Sequence, residues 1–325
     1  MQEIRWGSIG CGDVMEVKSG PALQNVEHSE LTAVMRRDAG LAEDFAHRHG
    51  VQKWFAQAED LINDPDVNAI YISTPPDSHL TYTRIAAEAG KPVYVEKPMA
   101  NSYAECLDMI QVCEQNQVPL FVAYYRRALP RFLKVKEIIE SGIIGEIREV
   151  DVKLLHKPKE MDIAGEPNWR VDPEIAGCGY FCDLASHIFD LLQFLLGDIE
   201  TAGGVIQNTG KLYTAEDYVK SEFTFESGIQ GSGLWDFNYN EDVDRTRIIG
   251  SLGEVAYTHF AEADVMLLTK GAEEHFEIPN PLHIQQPLIQ LIVNELRGEG
   301  KSPSTGLSAA KTNWIMDSVL GRNST

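Results

Sequence analysis

The chain opens with the stretch Ile4 to Met15, IRWGSIGCGDVM, in which a short apolar run ends at two closely spaced glycines. Such a run predicts a β-strand that passes through a tight turn into a helix. The first glycine permits the turn, and the second lets a pyrophosphate approach the backbone at the helix N-terminus. Because the turn follows a strand, we predict a dinucleotide site here. Its expected cofactor contacts are Gly10, Gly12, Asp13, Val14 and Met15, the last standing where a third glycine is usual.

The residues that follow alternate short apolar runs with helical patterns. Strands are predicted at 4–9, 31–35, 67–73, 92–95 and 119–123, and helices at 19–26, 41–49, 77–89 and 103–115. Apolar strands that alternate with helices form parallel sheets covered on both faces. Right-handed crossovers then give a doubly wound sheet. We therefore predict a dinucleotide-binding Rossmann domain over residues 1–123.

The pattern changes near residue 124. Helices are predicted at 130–140, 183–196, 284–296 and 307–320, and strands at 146–155, 218–225, 230–239, 246–250, 254–258 and 265–269. Consecutive strands joined by short turns indicate an antiparallel sheet. We predict an α+β domain over 124–325 with an open, mostly antiparallel sheet, whose last helices pack back on the first domain. An open sheet face favours a homodimer or homotetramer.

Composition excludes several classes of partner. The 325 residues include 28 Lys and Arg against 49 Asp and Glu, a formal charge of −21. A chain this acidic does not favour nucleic acid or anionic membranes, and no apolar run reaches the ~18 residues of a membrane span. The N-terminus shows no secretory signal, and five cysteines, an odd number, indicate reduced thiols in the cytoplasm. The spacing of Cys and His predicts no metal site.

The end of the second predicted strand bears on the choice of cofactor. In NAD-binding domains an acidic residue about 20 residues past the glycines binds the ribose 2′-hydroxyl. Here the strand ends in Met35-Arg36-Arg37-Asp38. Arginine suits a 2′-phosphate because its planar fork makes paired, charge-assisted contacts. Arg36 and Arg37 therefore favour NADP, while Asp38 leaves NAD open.

Three further segments carry a family resemblance. They are Ile72 to His79, ISTPPDSH; Val95 to Pro98, VEKP; and Gly177 to Asp183, GCGYFCD, followed by His187. With Trp169-Arg170 and the segment PSTG at 303–306, they resemble the Gfo/Idh/MocA family, named for glucose-fructose oxidoreductase, inositol dehydrogenase and rhizopine catabolism. The resemblance covers nearly the whole chain. It implies an NAD(P)-dependent oxidoreductase that acts on a small-molecule sugar, polyol or related alcohol or ketone.

The resemblance also implies roles for individual residues. The family's motif lysine corresponds to Lys97, and its aspartate and histidine correspond to Asp183 and His187. These three are the expected catalytic and substrate-binding residues. Further expected cofactor contacts are Thr74, Pro75, His79, Glu96, Lys97, Trp169 and Arg170. Further expected substrate contacts are Tyr125 and Arg126.

The chemistry of the three residues agrees with these roles. Asp183 and His187 are four residues apart, so they lie on the same side of one helix. Imidazole exchanges protons near neutral pH, and a lysine beside a substrate oxygen can polarise it or share its proton. We expect His187 to act as general acid and base while Lys97 polarises the reacting oxygen, and the reverse division stays open.

Two other functions stay open as well. Some relatives are NAD-dependent glycosidases, which oxidise transiently and would convert glycosides without net change in NADH. Others are non-catalytic dinucleotide-binding regulators. The simultaneous presence of Lys97, Asp183 and His187 favours an enzyme over a regulator, which needs none of them.

Overall fold

The computed structural model describes residues 1–323, and the chain forms two compact units. Unit 1 consists of Met1–Leu129 and Pro281–Ala310, and unit 2 consists of Pro130–Asn280 and the chain from Lys311 onward. The chain passes from unit 1 to unit 2 after Leu129, a few residues beyond the predicted domain boundary between residues 123 and 124. The segment 281–310, assigned from sequence to the second domain, completes unit 1.

Unit 1 contains a six-stranded parallel sheet. Its strands are β1 (Ile4–Ile9), β2 (Ser29–Met35), β3 (Lys53–Phe55), β4 (Ala69–Ile72), β5 (Val93–Val95) and β6 (Leu120–Val122). Their order in the sheet is β3-β2-β1-β4-β5-β6, which is the order of dinucleotide-binding sheets. Every residue of β4 is buried, as both faces of such a sheet are covered by helices. The predicted doubly wound fold is confirmed.

Twelve α-helices occur among the described residues, joined in places by short 3₁₀ turns. They are α1 (Asp13–Val17), α2 (Ser19–Asn25), α3 (Ala39–His49), α4 (Ala58–Ile62), α5 (His79–Glu88), α6 (Tyr103–Gln115), α7 (Pro130–Glu140), α8 (Glu160–Ile163), α9 (Pro173–Ala176), α10 (Tyr180–Leu196), α11 (Gln286–Arg297) and α12 (Gly306–Val319). Within residues 1–323, none of these helices has the length and apolar character to cross a bilayer.

Unit 2 is built on an eight-stranded sheet. Its strands are β7 (Ile147–Leu155), β8 (Ile199–Gln207), β9 (Tyr218–Phe225), β10 (Gln230–Asp236), β11 (Val243–Gly250), β12 (Gly253–Tyr257), β13 (Val265–Thr269) and β14 (Ala272–Phe276). Their order is β14-β13-β12-β11-β7-β10-β9-β8. Neighbours pair antiparallel except β7 and β10, which pair parallel. The predicted mostly antiparallel sheet is confirmed.

Helix α10 packs against this sheet through aromatic side chains. The ring of Phe181 meets Trp235 of β10 edge-on at a centroid distance of 5.2 Å. Two turns further along, Phe189 meets Phe223 of β9 at 5.4 Å. Burying aromatic side chains from both elements stabilises their packing strongly, so α10 is a rigid element of unit 2.

The cysteines differ from the expectation. Cys178 and Cys182 form a disulfide with their Cα atoms 5.5 Å apart, whereas the sequence indicated reduced thiols throughout. The pair lies on either side of the start of α10, where one helical turn brings residues four apart within disulfide reach. Among the described residues the free cysteines are Cys11, Cys106 and Cys113, all of them buried.

Candidate functional site

The glycine turn lies at the carboxyl ends of the adjacent strands β1 and β4, where parallel sheets bind ligands. Gly10 has φ +93°, and a Cβ there would meet the Ser73 carbonyl group at 3.0 Å. Gly12 is the N-cap of α1, and a Cβ built on it would meet no atom within 4 Å. The turn thus leaves open space over the first amides of α1, which have no partner within the helix. This space fits a pyrophosphate.

Met15 takes a different place from the one expected of a cofactor contact. Its side chain is fully buried, and its sulfur accepts from the hydroxyls of Ser8 at 3.4 Å and Ser19 at 3.3 Å. The thioether therefore fills the core under the turn, where a glycine would leave space. Only the backbone of Met15 remains at the turn.

The acidic residue Glu16, which follows the turn, is neutralised within unit 1. Its carboxylate accepts from the guanidinium of Arg48 at 2.6 and 2.8 Å and pairs with the His49 ring at 2.7 Å. These hydrogen bonds, that of Arg48 first, lower the pKa of Glu16 to about 2. A bound phosphate would therefore meet an ion pair here rather than an isolated negative charge.

Arg36, Arg37 and Asp38 form an exposed corner at the end of β2. Arg36 reaches over the glycine turn and donates from Nη1 to the carbonyl oxygen of Cys11 at 3.5 Å. Asp38 is the N-cap of α3, and its Oδ1 accepts from the N–H of Leu41 at 3.1 Å. The Arg36 guanidinium thus lies beside the turn, and the Asp38 carboxylate caps the N-terminus of α3.

The segment after β4 is held together by a buried histidine. The two ring nitrogens of His79 lie 2.8 Å from the Thr74 carbonyl oxygen and 3.1 Å from that of Met99. Burial lowers the pKa of His79. The ring therefore joins the segment of Thr74 and Pro75 to the chain that follows Pro98. The direct cofactor contact expected of His79 stays a prediction.

Glu96 explains the local shape of the Lys97 loop. It is buried, and its Oε1 accepts from Tyr71 Oη at 2.6 Å and from Gln285 Nε2 at 2.6 Å. Its Oε2 accepts from the main-chain N–H of Lys97 at 3.2 Å. Tyr94 donates in turn to Gln285 Oε1 at 2.9 Å. The carboxylate thus fixes the backbone from which the Lys97 side chain, only partly buried, projects.

Tyr125 and Arg126 lie in a 3₁₀ turn of unit 1, and both are buried. The Arg126 guanidinium lies over the Tyr125 ring, 5.0 Å from its centroid. The neighbouring Arg127 donates to the carbonyl oxygen of Pro303 at 2.9 Å. Sequence reasoning expected Tyr125 and Arg126 to contact substrate; the structure shows them as a packed cation–π pair, and the substrate contact stays a prediction.

Asp183 and His187 lie on α10 within unit 2, four residues apart as predicted. Arg170 Nε is 3.8 Å from Asp183 Oδ2, and the Arg170 guanidinium stacks on the Trp169 ring at 4.5 Å. His187 is buried and meets the ring of Phe260 at a centroid distance of 6.1 Å. The structure thus brings Trp169 and Arg170 to Asp183; their expected cofactor contact stays a prediction.

A pocket of about 1060 Å³ lies within unit 2, and Asp183 and His187 are not among the residues that line it. Tyr180 and Leu184 of α10 line it, each three residues before Asp183 or His187, and they therefore adjoin them on the helix surface. The remaining lining includes Lys159, Phe237 and Phe260. Sequence reasoning missed these residues. Lys159 lies in the segment 156–176, which has no periodic pattern, and the only signal was the tyrosine inside the GCGYFCD motif.

The wall of this pocket is fixed by a buried hydrogen-bond network. Tyr180 Oη donates to Asp162 Oδ2 at 2.6 Å, and Asn168 Nδ2 donates to Asp162 Oδ1 at 2.9 Å and to Tyr180 Oη at 2.8 Å. Burial, reinforced by Asp162, raises the pKa of Tyr180. The phenol therefore stays protonated, and its ring is held in one orientation at the start of α10.

Among residues 1–323, no group of three or more His, Cys, Asp or Glu side chains is arranged to hold a metal ion. Unit 1 has open space at the glycine turn with Arg36 beside it, and unit 2 has a pocket lined by residues of α10 that adjoin Asp183 and His187 on the helix.

The fold and these features define a dinucleotide-binding oxidoreductase. A family model described as an oxidoreductase family with an NAD-binding Rossmann fold matches residues 4–124, and a GFO/IDH/MocA C-terminal domain matches residues 132–256. The two models cover most of the chain. The protein therefore belongs to the Gfo/Idh/MocA family, as the motifs predicted.

Individual relatives extend the match to the whole chain. Oxidoreductase P35 of Formosa agariphila is 40% identical over 321 residues, 98% of each chain. Among solved structures, levoglucosan dehydrogenase in complex with NADH superposes with a TM-score of 0.88 at 21% identity, over 99% of this chain and 97% of that one. A 3-ketoreductase from Actinomadura kijaniata in complex with NADP and TDP-benzene gives 0.86 at 20%, over 98% and 97%. The last two similarities are similarities of fold.

Proposed function

We propose that the protein is an NAD(P)-dependent dehydrogenase or reductase that acts on a sugar, a polyol or a related alcohol or ketone. The observation that carries the proposal is the placement of Asp183 and His187 on α10 next to Tyr180 and Leu184, which line a pocket that also has the aromatic rings of Phe237 and Phe260 in its wall. Such walls suit the C–H face of a ring, and a few polar groups then orient it. Levoglucosan dehydrogenase, similar in fold, acts on a sugar of this kind.

When bound, the nicotinamide cofactor supplies or accepts the hydride. The chain's own residues orient the substrate and move the proton. We propose that His187 takes the hydroxyl proton during oxidation and returns it during reduction, since imidazole does so near neutral pH. The family resemblance implies that Lys97 polarises the reacting oxygen, and we propose that Asp183, beside Arg170, orients the hydroxyl.

NADP is the proposed cofactor over NAD. Arg36 lies beside the glycine turn with its guanidinium available at the surface, and Asp38 is engaged as the N-cap of α3. Both features favour a 2′-phosphate over a free 2′-hydroxyl. Quenching of tryptophan fluorescence during titration with NADPH and NADH tests this choice, and tighter binding of NADH would overturn it.

Turnover separates this proposal from the two alternatives. A dehydrogenase changes NAD(P)H absorbance with levoglucosan, myo-inositol or an anhydro-ketose, and Lys97→Ala lowers kcat by about 10²–10⁴. A glycosidase would release sugar from a glycoside without net change in NADH. A regulator would bind cofactor and leave every substrate of the panel unchanged.

The partner proposed for unit 2 is a second copy of the chain, in a homodimer or homotetramer. The outer strand β8 exposes Val205 and Ile206, at 56% and 42% of their surface, and exposed apolar sheet surface favours association. Light scattering after size exclusion measures the mass directly, and a monomer at micromolar concentration contradicts the proposal.

A further inference from the structure

Lys159 is a charged group of the unit 2 pocket that the catalytic residues leave unused. It lies just before α8 and lines the same pocket as Tyr180 and Leu184. Its Nζ is 3.9 Å from the centroid of the Tyr180 ring, well inside the distance at which an ammonium is attracted to an aromatic face. The ammonium therefore has a defined position on the pocket wall.

Lys159 is exposed, and a lysine side chain at a surface ordinarily samples many rotamers. The contact with Tyr180 favours those rotamers that place the ammonium on the face of the ring. The ring itself is held, since Tyr180 Oη donates to Asp162 and accepts from Asn168. A group whose rotamers are restricted before binding loses less entropy when a ligand arrives.

The surroundings of Lys159 include charges of both signs. Burial lowers the pKa of Lys159, the nearby Asp183 and Asp162 raise it, and Arg170 lowers it. Asp162 accepts hydrogen bonds from Tyr180 and Asn168. The ammonium carries three N–H donors, so it can donate to an acceptor on a ligand in the pocket.

We propose that Lys159 is a specificity-determining residue, whose ammonium donates a hydrogen bond to a non-reacting hydroxyl of a ring-shaped sugar or polyol packed against Tyr180, Phe237 and Phe260. The inference rests on the proposed function of the same pocket. It assigns to Lys159 the recognition of one hydroxyl, separate from the proton transfer at His187 and Lys97.

The test compares Lys159→Met with Lys153→Met. Methionine keeps the length of the side chain and removes its charge, and Lys153 lies on β7, outside the pocket lining. The probe is levoglucosan with NAD⁺ or NADP⁺. Since a hydrogen bond from a charged donor contributes about 1.5–3 kcal/mol, Lys159→Met should lower kcat/KM by about 10- to 100-fold, mainly through KM. Lys153→Met should leave it within about twofold.

Singly deoxygenated levoglucosans identify the hydroxyl. For one of these analogues, the wild-type enzyme should show a kcat/KM as low as that of Lys159→Met with levoglucosan. For the same analogue, Lys159→Met should lower kcat/KM little further. If every deoxygenated analogue is affected equally by the substitution, Lys159 recognises no particular hydroxyl and the inference is wrong.

Ligand binding, followed on the holoprotein by saturation-transfer NMR, separates this inference from the proposed function. If the wild-type protein binds levoglucosan without turning it over, and Lys159→Met abolishes that binding, the proposed role of Lys159 is supported and the dehydrogenase proposal is contradicted. If Lys159→Met leaves turnover unchanged, or if Lys153→Met lowers turnover equally, the proposed role of Lys159 is wrong. The dehydrogenase proposal is unaffected by that result. If neither binding nor turnover occurs with levoglucosan, myo-inositol and 1,5-anhydro-D-fructose, both proposals are contradicted. Cofactor titration and thermal unfolding confirm that the variants are folded.

Discussion

Glu96→Gln tests whether the buried carboxylate next to Lys97 positions the lysine. Oε1 of Glu96 accepts from Tyr71 and Gln285, and Oε2 accepts from the N–H of Lys97. A glutamine of the same shape can keep its oxygen towards the first two donors. Its amide nitrogen then faces the Lys97 N–H, so two hydrogen-bond donors oppose each other and the hydrogen bond is lost.

The magnitude follows from these three contacts. The hydrogen bonds from Tyr71 and Gln285 each lose their charged acceptor, which weakens them by about 1 kcal/mol. The N–H of Lys97 loses its acceptor, at about 1–3 kcal/mol. Part of this is relieved by movement of the Lys97 loop, because that loop is the least buried of the three partners. We expect the free energy of unfolding to fall by about 2–4 kcal/mol and kcat by 10- to 100-fold, since about 1 Å of displacement has such an effect.

The assay combines kcat at saturating substrate, cofactor titration and thermal unfolding. Tyr94→Phe is the matched control, because it removes a buried hydroxyl from the same network, the donor to Gln285 Oε1 at 2.9 Å, and leaves all three contacts of Glu96 in place. It should lower stability by about 1 kcal/mol and leave kcat nearly unchanged. A Glu96→Gln enzyme with normal kcat, or a Tyr94→Phe enzyme that loses kcat equally, would refute the positioning role.

Three further predictions concern the cofactor, acid stability and the disulfide. Replacing Arg36 and Arg37 by alanine should raise the Kd of NADPH by about 10- to 100-fold, while that of NADH changes little; equal losses in fluorescence titration contradict the 2′-phosphate site. The Glu16 carboxyl has its pKa lowered from 4.5 to about 2, so its ion pair stabilises fully above pH 4.5 and is lost as the pH falls towards 2. Glu16→Gln should therefore reduce the dependence of Tm on pH in this range. The stability involved is less than about 1 kcal/mol, because the ion pair lies at the surface; an unchanged slope contradicts the assignment. Alkylation of the denatured, unreduced chain should label three of its five cysteines, and mass spectrometry that finds Cys178 or Cys182 labelled contradicts the disulfide.

The sequence predicts the fold well where local patterns and long-range packing agree. The glycine turn was identifiable because Gly10 and Gly12 are required by the backbone itself, one for its positive φ and one for open space. Strand β3 was missed because it has only three residues, none of them buried. Strand β8 was missed because all but one of its residues lie at least partly at the surface, which removes the alternation that predicts a strand.

The candidate site was predictable only where its residues belong to motifs. Lys97, Asp183 and His187 were found through such motifs. Gln285 binds Glu96, which lies 189 residues away in the sequence. It could not be predicted, because contacts between distant segments leave no periodic signal. The role of Lys159 depends likewise on the ring of Tyr180, which only the folded chain brings beside it.

Helix α10 shows why chemistry and specificity can be carried by different parts of unit 2. Its inner face is packed by Phe181 and Phe189 against the sheet, and truncating such a residue costs about 3–5 kcal/mol. Asp183 and His187 cannot move without disturbing that packing, so their separation is set by the core. Lys159 precedes a four-residue helix and remains accessible, and no comparable core packing depends on it. We therefore expect substitutions of Lys159 to change which hydroxyl is recognised, while the core keeps the proposed proton-transfer residues Asp183 and His187 in place.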